Sequence, residues 1–296
     1  MDKARQLAVL SIVVSGLLAI LKISVGHMAH SASLSADGLE SASDVFTSGL
    51  VLIGLTLAAR PADRNHPYGH GRVEILTGLL LGFILFLAGC FIAWRGFTGA
   101  AHVNGVPAAY AIWPLLLSVG AKFALTIVKR RQGKKIGSSA LQADAANDGM
   151  DMLSGLVAFS ALSLTLADPT RFLKADQYGA VGVGLIVIMV AIRVIHEAAY
   201  HLMDTMPDDQ SMKRIREVAL SVPDVAGVEK CFARKTGLRY HVDLHLEVDP
   251  DITVRLSHEI ARNVRDRVRR ELPWVADVLV HVEPAPELGE FRRAAR

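Results

Sequence analysis

The chain has 296 residues, 51% of them apolar, with a mean hydropathy of +0.34 and a formal charge of +3 at pH 7. That length holds a membrane domain plus one modest soluble domain. Long apolar runs fill residues 1–200, whereas residues 208–296 carry 16 Lys/Arg against 16 Asp/Glu. The positive surplus therefore sits in short loops between apolar runs, which argues against a nucleic-acid-binding face; two lone cysteines, Cys90 and Cys231, give no disulfide framework and no cysteine zinc motif.

In chain order, MDKARQLAVL opens directly into the first apolar run. No small-residue cleavage site ends that run, so it reads as a retained helix. A bilayer span takes about 20 mainly apolar residues. The pattern predicts six: Leu7–Gly26, Leu34–Ala58, Val73–Phe97, Ile112–Val128, Leu141–Leu166 and Tyr178–Leu202. Six such helices in succession exceed what a soluble core would bury. Glycines within the spans, among them Gly82, Gly89 and Gly184, allow close helix approach. Lys and Arg cluster before span one (Lys3, Arg5), after span two (Arg60, Arg64, Arg72) and after span four (Lys129, Arg130, Arg131, Lys134, Lys135). The loop GHMAHSAS has none, and after span five Arg171 and Lys174 are offset by Asp168 and Asp176. The positive-inside rule then places both termini in the cytoplasm, on a multi-pass protein of the cell's inner membrane.

Two spans carry carboxylates. In ADGLESASDVFTS, Glu40 and Asp44 are four residues apart and share a helical face; in ADAANDGMDMLSG the same holds for Asn147 and Asp151. Ionisable groups at membrane depth are costly and usually functional. Glu40, Asp44, Asn147 and Asp151 can close into an oxygen-rich cage. Asp148, one residue off the shared face, is open between ligand, proton relay and packing. Asp37 and Asp144, nearer the span starts, are open between binding, capping and solvation. Oxygen ligands suit hard ions such as manganese or magnesium, whereas imidazole and thiolate favour zinc.

After span two, ARPADRNHPYGHGRVE brings Asp63, His66 and His70 into a compact loop stiffened by Pro61 and Pro67, either a metal site or a basic turn at the membrane surface. The tail reads as an αββαβ sandwich: helix Ser211–Ser221, hairpin strands Val225–Lys235 and Arg239–Val248, helix Val254–Leu272 and strand Val275–Val282. Alternation puts Val242, Leu244, Leu246 and Val248 on one face of the second strand and His245 on the other. Leu256, Ile260, Val264 and Val268 form the expected stripe of the second helix, with His258 turned away from it. His245, His258, His281 and Glu283 are thus candidates for a polar surface, open between a regulatory metal site and plain solvation.

Together ADGLESASDVFTS, HPYGHGRVE, LQADAANDGMD, VDLHLEVDP and VHVEP, in this order and with six spans, resemble the cation diffusion facilitator, or cation efflux, family over nearly the whole chain. The resemblance implies an α-helical membrane protein with six transmembrane helices (residues 1–207) and a C-terminal ferredoxin-like, metallochaperone-like αββαβ cytoplasmic domain (residues 208–296) for dimerisation and metal sensing. It implies a homodimeric, proton-coupled exporter rather than an enzyme. Its partners would be membrane lipid, protons and a divalent metal ion as substrate, with no other cofactor and no nucleic acid. The transport site would be Glu40, Asp44, Asn147 and Asp151. Asp63, His66 and His70 would match a second site, and His245, His258, His281 and Glu283 the family's cytoplasmic binuclear zinc site. Zinc exporters of the family typically carry His where this chain has Glu40 or Asn147, and Asn147-Asp148 looks like manganese-exporting members. The expectation is Mn²⁺ efflux, with Zn²⁺ or Fe²⁺ efflux by the same mechanism, or a non-transporting metal-binding scaffold, as alternatives. No phosphate-binding loop of the G-x-x-x-x-G-K-[ST] type is present to couple ATP.

Overall fold

The computed structural model describes the backbone of residues 2–101, 103, 105–136, 139–237 and 239–285, and their side chains except at 2–9, 48, 52, 133, 136 and 139–144. The side chains of Lys3, Arg5 and Asp144, used above, lie outside the described residues. Contacts group the chain into two units, Met1–Ile53 with Gly78–Ile195 and Gly54–Thr77 with His196–Arg296.

Helices α1 (Asp2–Met28), α2 (Ala32–Ala58), α3 (Arg72–Gly99), α4 (Ile112–Ile136), α5 (Ser139–Ala167) and α7 (Ala175–Leu202) are joined by short segments, with a four-residue α6 (Pro169–Phe172) before α7. Each of the six long helices contains a stretch long and apolar enough to cross a membrane, so the protein is a multi-pass membrane protein. In the first unit the outward faces are apolar, with Leu17, Leu87, Trp94 and Trp113 all about two-thirds exposed, as lipid contact requires. The inward faces mix aliphatic residues such as Leu34, Leu115 and Leu162 with small and polar ones. Gly184 of α7 meets the backbone of Ala93 on α3, where a Cβ would come within 2.6 Å of the Ala93 nitrogen; only a glycine permits that approach. Asp176 is not the loop charge expected from the sequence. It is 2% exposed and accepts from the Ala32 N–H at 2.6 Å and from the Ser31 and Ser33 hydroxyls. It therefore caps the start of α2, where free backbone N–H groups favour an anion.

The second unit contains α8 (Asp209–Leu220), β1 (Gly227–Thr236), β2 (Arg239–Val248), α9 (Val254–Glu271) and β3 (Val275–Pro284). The sheet order is β1-β2-β3. β1 and β2 form an antiparallel hairpin, and β3 returns parallel to β2 through α9. Asp208 and Thr253 cap the two helices through the Ser211 and Leu256 N–H groups. Ile215 and Val218 of α8, Ile260, Val264 and Val268 of α9, and Val242, Leu244 and Leu246 of β2 form the core. Leu256 is not part of the stripe, being 41% exposed near the start of α9. Within the same unit the loop after α2 abuts the hairpin turn. Gly71 packs on the Thr236 carbonyl, Tyr68 sits edge-on to His241 at 5.8 Å, and Arg72 pairs with Asp204 at 2.7 Å.

Candidate functional site

Three clusters of candidate ligands emerge, one at membrane depth and two in the second unit. At membrane depth, α2 presents Asp37, Glu40 and Asp44 one turn apart, and α5 presents Asp148 and Asp151. The structure brings Glu40 and Asp44 of α2 near Asp151 of α5, close enough for their carboxyl groups to interact electrostatically, and the Ser154 hydroxyl donates to the Asp151 carbonyl. Like charges gathered in a buried site favour a proton or a cation among them. Asn147, one turn before Asp151, is exposed and is not drawn into this buried group.

Three lysines stand among these acids, two of them, Lys22 and Lys122, outside every sequence motif and the third, Lys129, expected in a loop. Lys22, Lys122 and Lys129 are 1%, 3% and 0% exposed. Lys22 pairs with Asp37 at 2.7 Å and donates to Ser41, so Asp37 is an interior ion-pair partner rather than a solvated group. Lys122 lies 2.5 Å from Asp151, 3.1 Å from Asp148 and 3.0 Å from the Ser15 hydroxyl. Lys129 lies 2.5 Å from Asp148 and donates to Ser11. Asp148 is thus held between two ammonium groups, and Lys129 is a buried partner rather than the loop charge expected. Lysine inside an apolar span was the available signal, since membrane-depth charges are functional by default.

The loop cluster is preformed. Asp63, His66 and His70 place ligand atoms within 4.8 Å of one another. Asp63 accepts the N–H groups of Asn65 and His66, and the backbone bond from His66 above all holds its carboxyl below the usual carboxylate range. His70 directs Nδ1 at the Pro61 carbonyl, 3.1 Å away, leaving Nε2 facing Asp63 as the ligand atom.

The third cluster, His245, His281 and Glu283, also gathers ligand atoms within 4.8 Å. His245 and His281 are register partners on parallel strands, with rings 5.1 Å apart. Glu283 lies 2.5 Å from His245 and 3.5 Å from His281. A hydrogen bond shared with Glu229 first, and one with His245 second, keep the Glu283 carboxyl below its ordinary range. Glu229, on β1, belongs to no motif and only strand pairing reveals it. His258 is exposed and stays outside the group: α9 covers the buried face of the sheet, and His245 projects from the other.

The profile described as cation efflux transmembrane domain matches residues 8–203, and that described as cation efflux protein, cytoplasmic domain, matches residues 207–285. The chain is 28% identical over 285 residues to manganese efflux system protein MneP of Bacillus subtilis, covering 95% of this chain and 96% of that protein. It is 34% identical over 280 residues to a transporter of Methanocaldococcus jannaschii, covering 93% and 96%. It is 26% identical over 275 residues to magnetosome protein MamB of Magnetospirillum gryphiswaldense, covering 91% and 90%.

Proposed function

The chain belongs to the cation efflux family of membrane transporters, and from that premise we propose that it exports Mn²⁺ from the cytoplasm in exchange for protons. The observation that carries this is the gathering of three acids, Glu40 and Asp44 on one membrane-spanning helix and Asp151 on another, near enough to interact electrostatically. Such a set has negative charge and oxygen donors, and it needs a cation or protons to hold together, which is what metal–proton exchange supplies. Oxygen ligands without imidazole favour Mn²⁺ over Zn²⁺, and the similarity to a manganese efflux protein agrees with that choice. Asn147 completes the ligand set once its exposed side chain turns toward Asp151. The loop charges support cytoplasmic termini at the inner membrane.

The two preformed clusters are read as accessory metal sites, the loop one at Asp63, His66 and His70 and the other at His245, His281 and Glu283. The αββαβ domain is read as the part that associates two copies of the chain, consistent with its match to the family's cytoplasmic domain. The test is uptake into inverted, proton-loaded vesicles with Mn²⁺, Zn²⁺, Fe²⁺ and Co²⁺ at matched free concentrations. Mn²⁺ should lead and should release protons from the vesicle interior. Zn²⁺ far ahead of Mn²⁺ would overturn the ion assignment.

A further inference from the structure

Buried lysines stand among the acids of the transport site. Lys22 pairs with Asp37 at 2.7 Å, and Lys129 lies 2.5 Å from Asp148. Among the described side chains, Lys122 is the ammonium beside Asp151, with Asp44 and Glu40 close by. Lys122 is positioned to serve two carboxylates. Asp148 and Asp151 are three residues apart on α5, and the ammonium lies 3.1 Å from one and 2.5 Å from the other. Ser15 takes its third proton at 3.0 Å. Its shorter contact is with Asp151, a proposed metal ligand, rather than with Asp148, which Lys129 already satisfies.

We propose that Lys122 is a tethered counter-cation of the transport site, holding Asp151 while the metal is absent and withdrawing onto Asp148 when the metal takes Asp151. It is a positioning residue: it acts through Asp151. The inference rests on the reading of Glu40, Asp44 and Asp151 as transport ligands. A buried carboxylate left without a cation is strongly unfavourable, and the lysine supplies that cation on the metal-free leg. The same ammonium competes with the incoming ion for Asp151, which lowers affinity and aids release. Asp148, 3.1 Å away, is the resting place that keeps a carboxylate beside the lysine when it leaves Asp151. Asp148 and Lys129 thereby gain a role that neither has as a ligand.

The test uses the full-length protein in detergent for Mn²⁺ binding and in proteoliposomes for transport. Lys122→Met removes the competitor and keeps the bulk. Mn²⁺ should then bind about tenfold more tightly, the scale of losing one nearby positive charge. In transport, KM and kcat should fall together, because release loses its competitor; Lys122→Arg should restore both towards wild type. Asp148→Asn should act with the opposite sign: the lysine loses its resting place, stays on Asp151 and weakens Mn²⁺ binding. That second variant keeps the idea testable should Lys122→Met fail to fold, since unchanged or tighter binding by Asp148→Asn would overturn it. Unchanged or weaker binding by a folded Lys122→Met would overturn it equally. Asp44→Ala separates the two levels. Mn²⁺ binding undiminished in Asp44→Ala overturns the ligand reading itself, whereas binding lost there and unaltered in Lys122→Met overturns only the role of the lysine.

Discussion

The membrane-depth carboxylates and the histidine clusters of the second unit solve the same problem, gathering negative or lone-pair donors, in opposite ways. In the second unit the donors are at least partly exposed, and their atoms already lie within 4.8 Å of one another. Water stabilises them without an ion, so the cluster can wait empty at little cost. At membrane depth the acids are interleaved with Lys22, Lys122 and Lys129, each at most 3% exposed. An unpaired charge buried there is costly in every state the site visits. A site that must load and unload in the membrane needs substitute cations. A site that only reports or stores a metal does not.

The largest effect that would break this contrast is on stability. Lys22→Met leaves Asp37 as an unpaired buried charge, and the cost should be about 3–5 kcal/mol. The double variant Lys22→Met with Asp37→Asn should recover most of it. Thermal unfolding of the purified protein in detergent reads both; a single variant as stable as wild type would show the pair to be solvated after all.

Next in size is the asymmetry within α5. Asn147 is exposed, whereas Asp151 is paired with the buried Lys122 and interacts electrostatically with Asp44. Asn147→Ala should therefore raise the KM for Mn²⁺ by less than about tenfold, below the 1.4 kcal/mol that tenfold represents. Asn147→His should turn preference towards Zn²⁺. Competition uptake with the two ions checks this, and a complete loss of transport in Asn147→Ala would mean that the residue enters the site fully.

A smaller effect sharpens the other side of the comparison. His281→Ala should weaken metal binding at the proposed His245, His281 and Glu283 site, and His258→Ala should leave it intact, because, of these two histidines, His281 is the one gathered with Glu283. Zinc titration of the full chain, followed by chelator competition, distinguishes the two; equal losses would place His258 in the site.

The smallest effect concerns pH. Burial first, with Arg234 and Arg72 adding and Asp277 and Asp243 opposing, holds the His241 imidazole below its ordinary value of 6.5. The folded state thus disfavours the protonated ring. Its contribution is fully present above pH 6.5 and is lost as pH falls from there through the lower folded value. The unfolding temperature of the full chain should decline on acidification from about pH 7 to about pH 5, and His241→Gln should flatten that decline. An unaltered slope would assign the acid sensitivity elsewhere.

Much of this was legible in the sequence, and the parts that were not have a common cause. The six spans and the αββαβ order follow from run length and from period-two and period-3.6 alternation, which depend on neighbours along one chain segment. The pairing of His245 with His281 follows the same way, since both sit on the non-core face of their strands. What escaped depends on which helices touch. Lys122 on α4 and Asp151 on α5 are 29 residues apart, and Asp176 caps a helix start 144 residues away. Lys129 looked like one more cytoplasmic loop charge because it opens the run Lys129-Arg130-Arg131, and only its burial separates it from its neighbours. The place of His258 depends on the same kind of information: its helical angle turns it away from the core, and it is exposed, but an angle alone does not say which face of the sheet the helix covers.

The central claim is that the buried Asp44 and Asp151 carboxylates, not the preformed clusters, carry the exported ion. Mn²⁺ uptake by proteoliposomes holding Asp44→Ala, Asp151→Ala or the triple variant Asp63→Ala/His66→Ala/His70→Ala, each first shown to be folded, tests it most directly. The account predicts that uptake falls at least about a hundredfold in each of the first two, the scale of losing one partner of a buried charge cluster, while the triple variant still transports. Uptake undiminished in Asp44→Ala and Asp151→Ala, with loss in the triple variant, would contradict it.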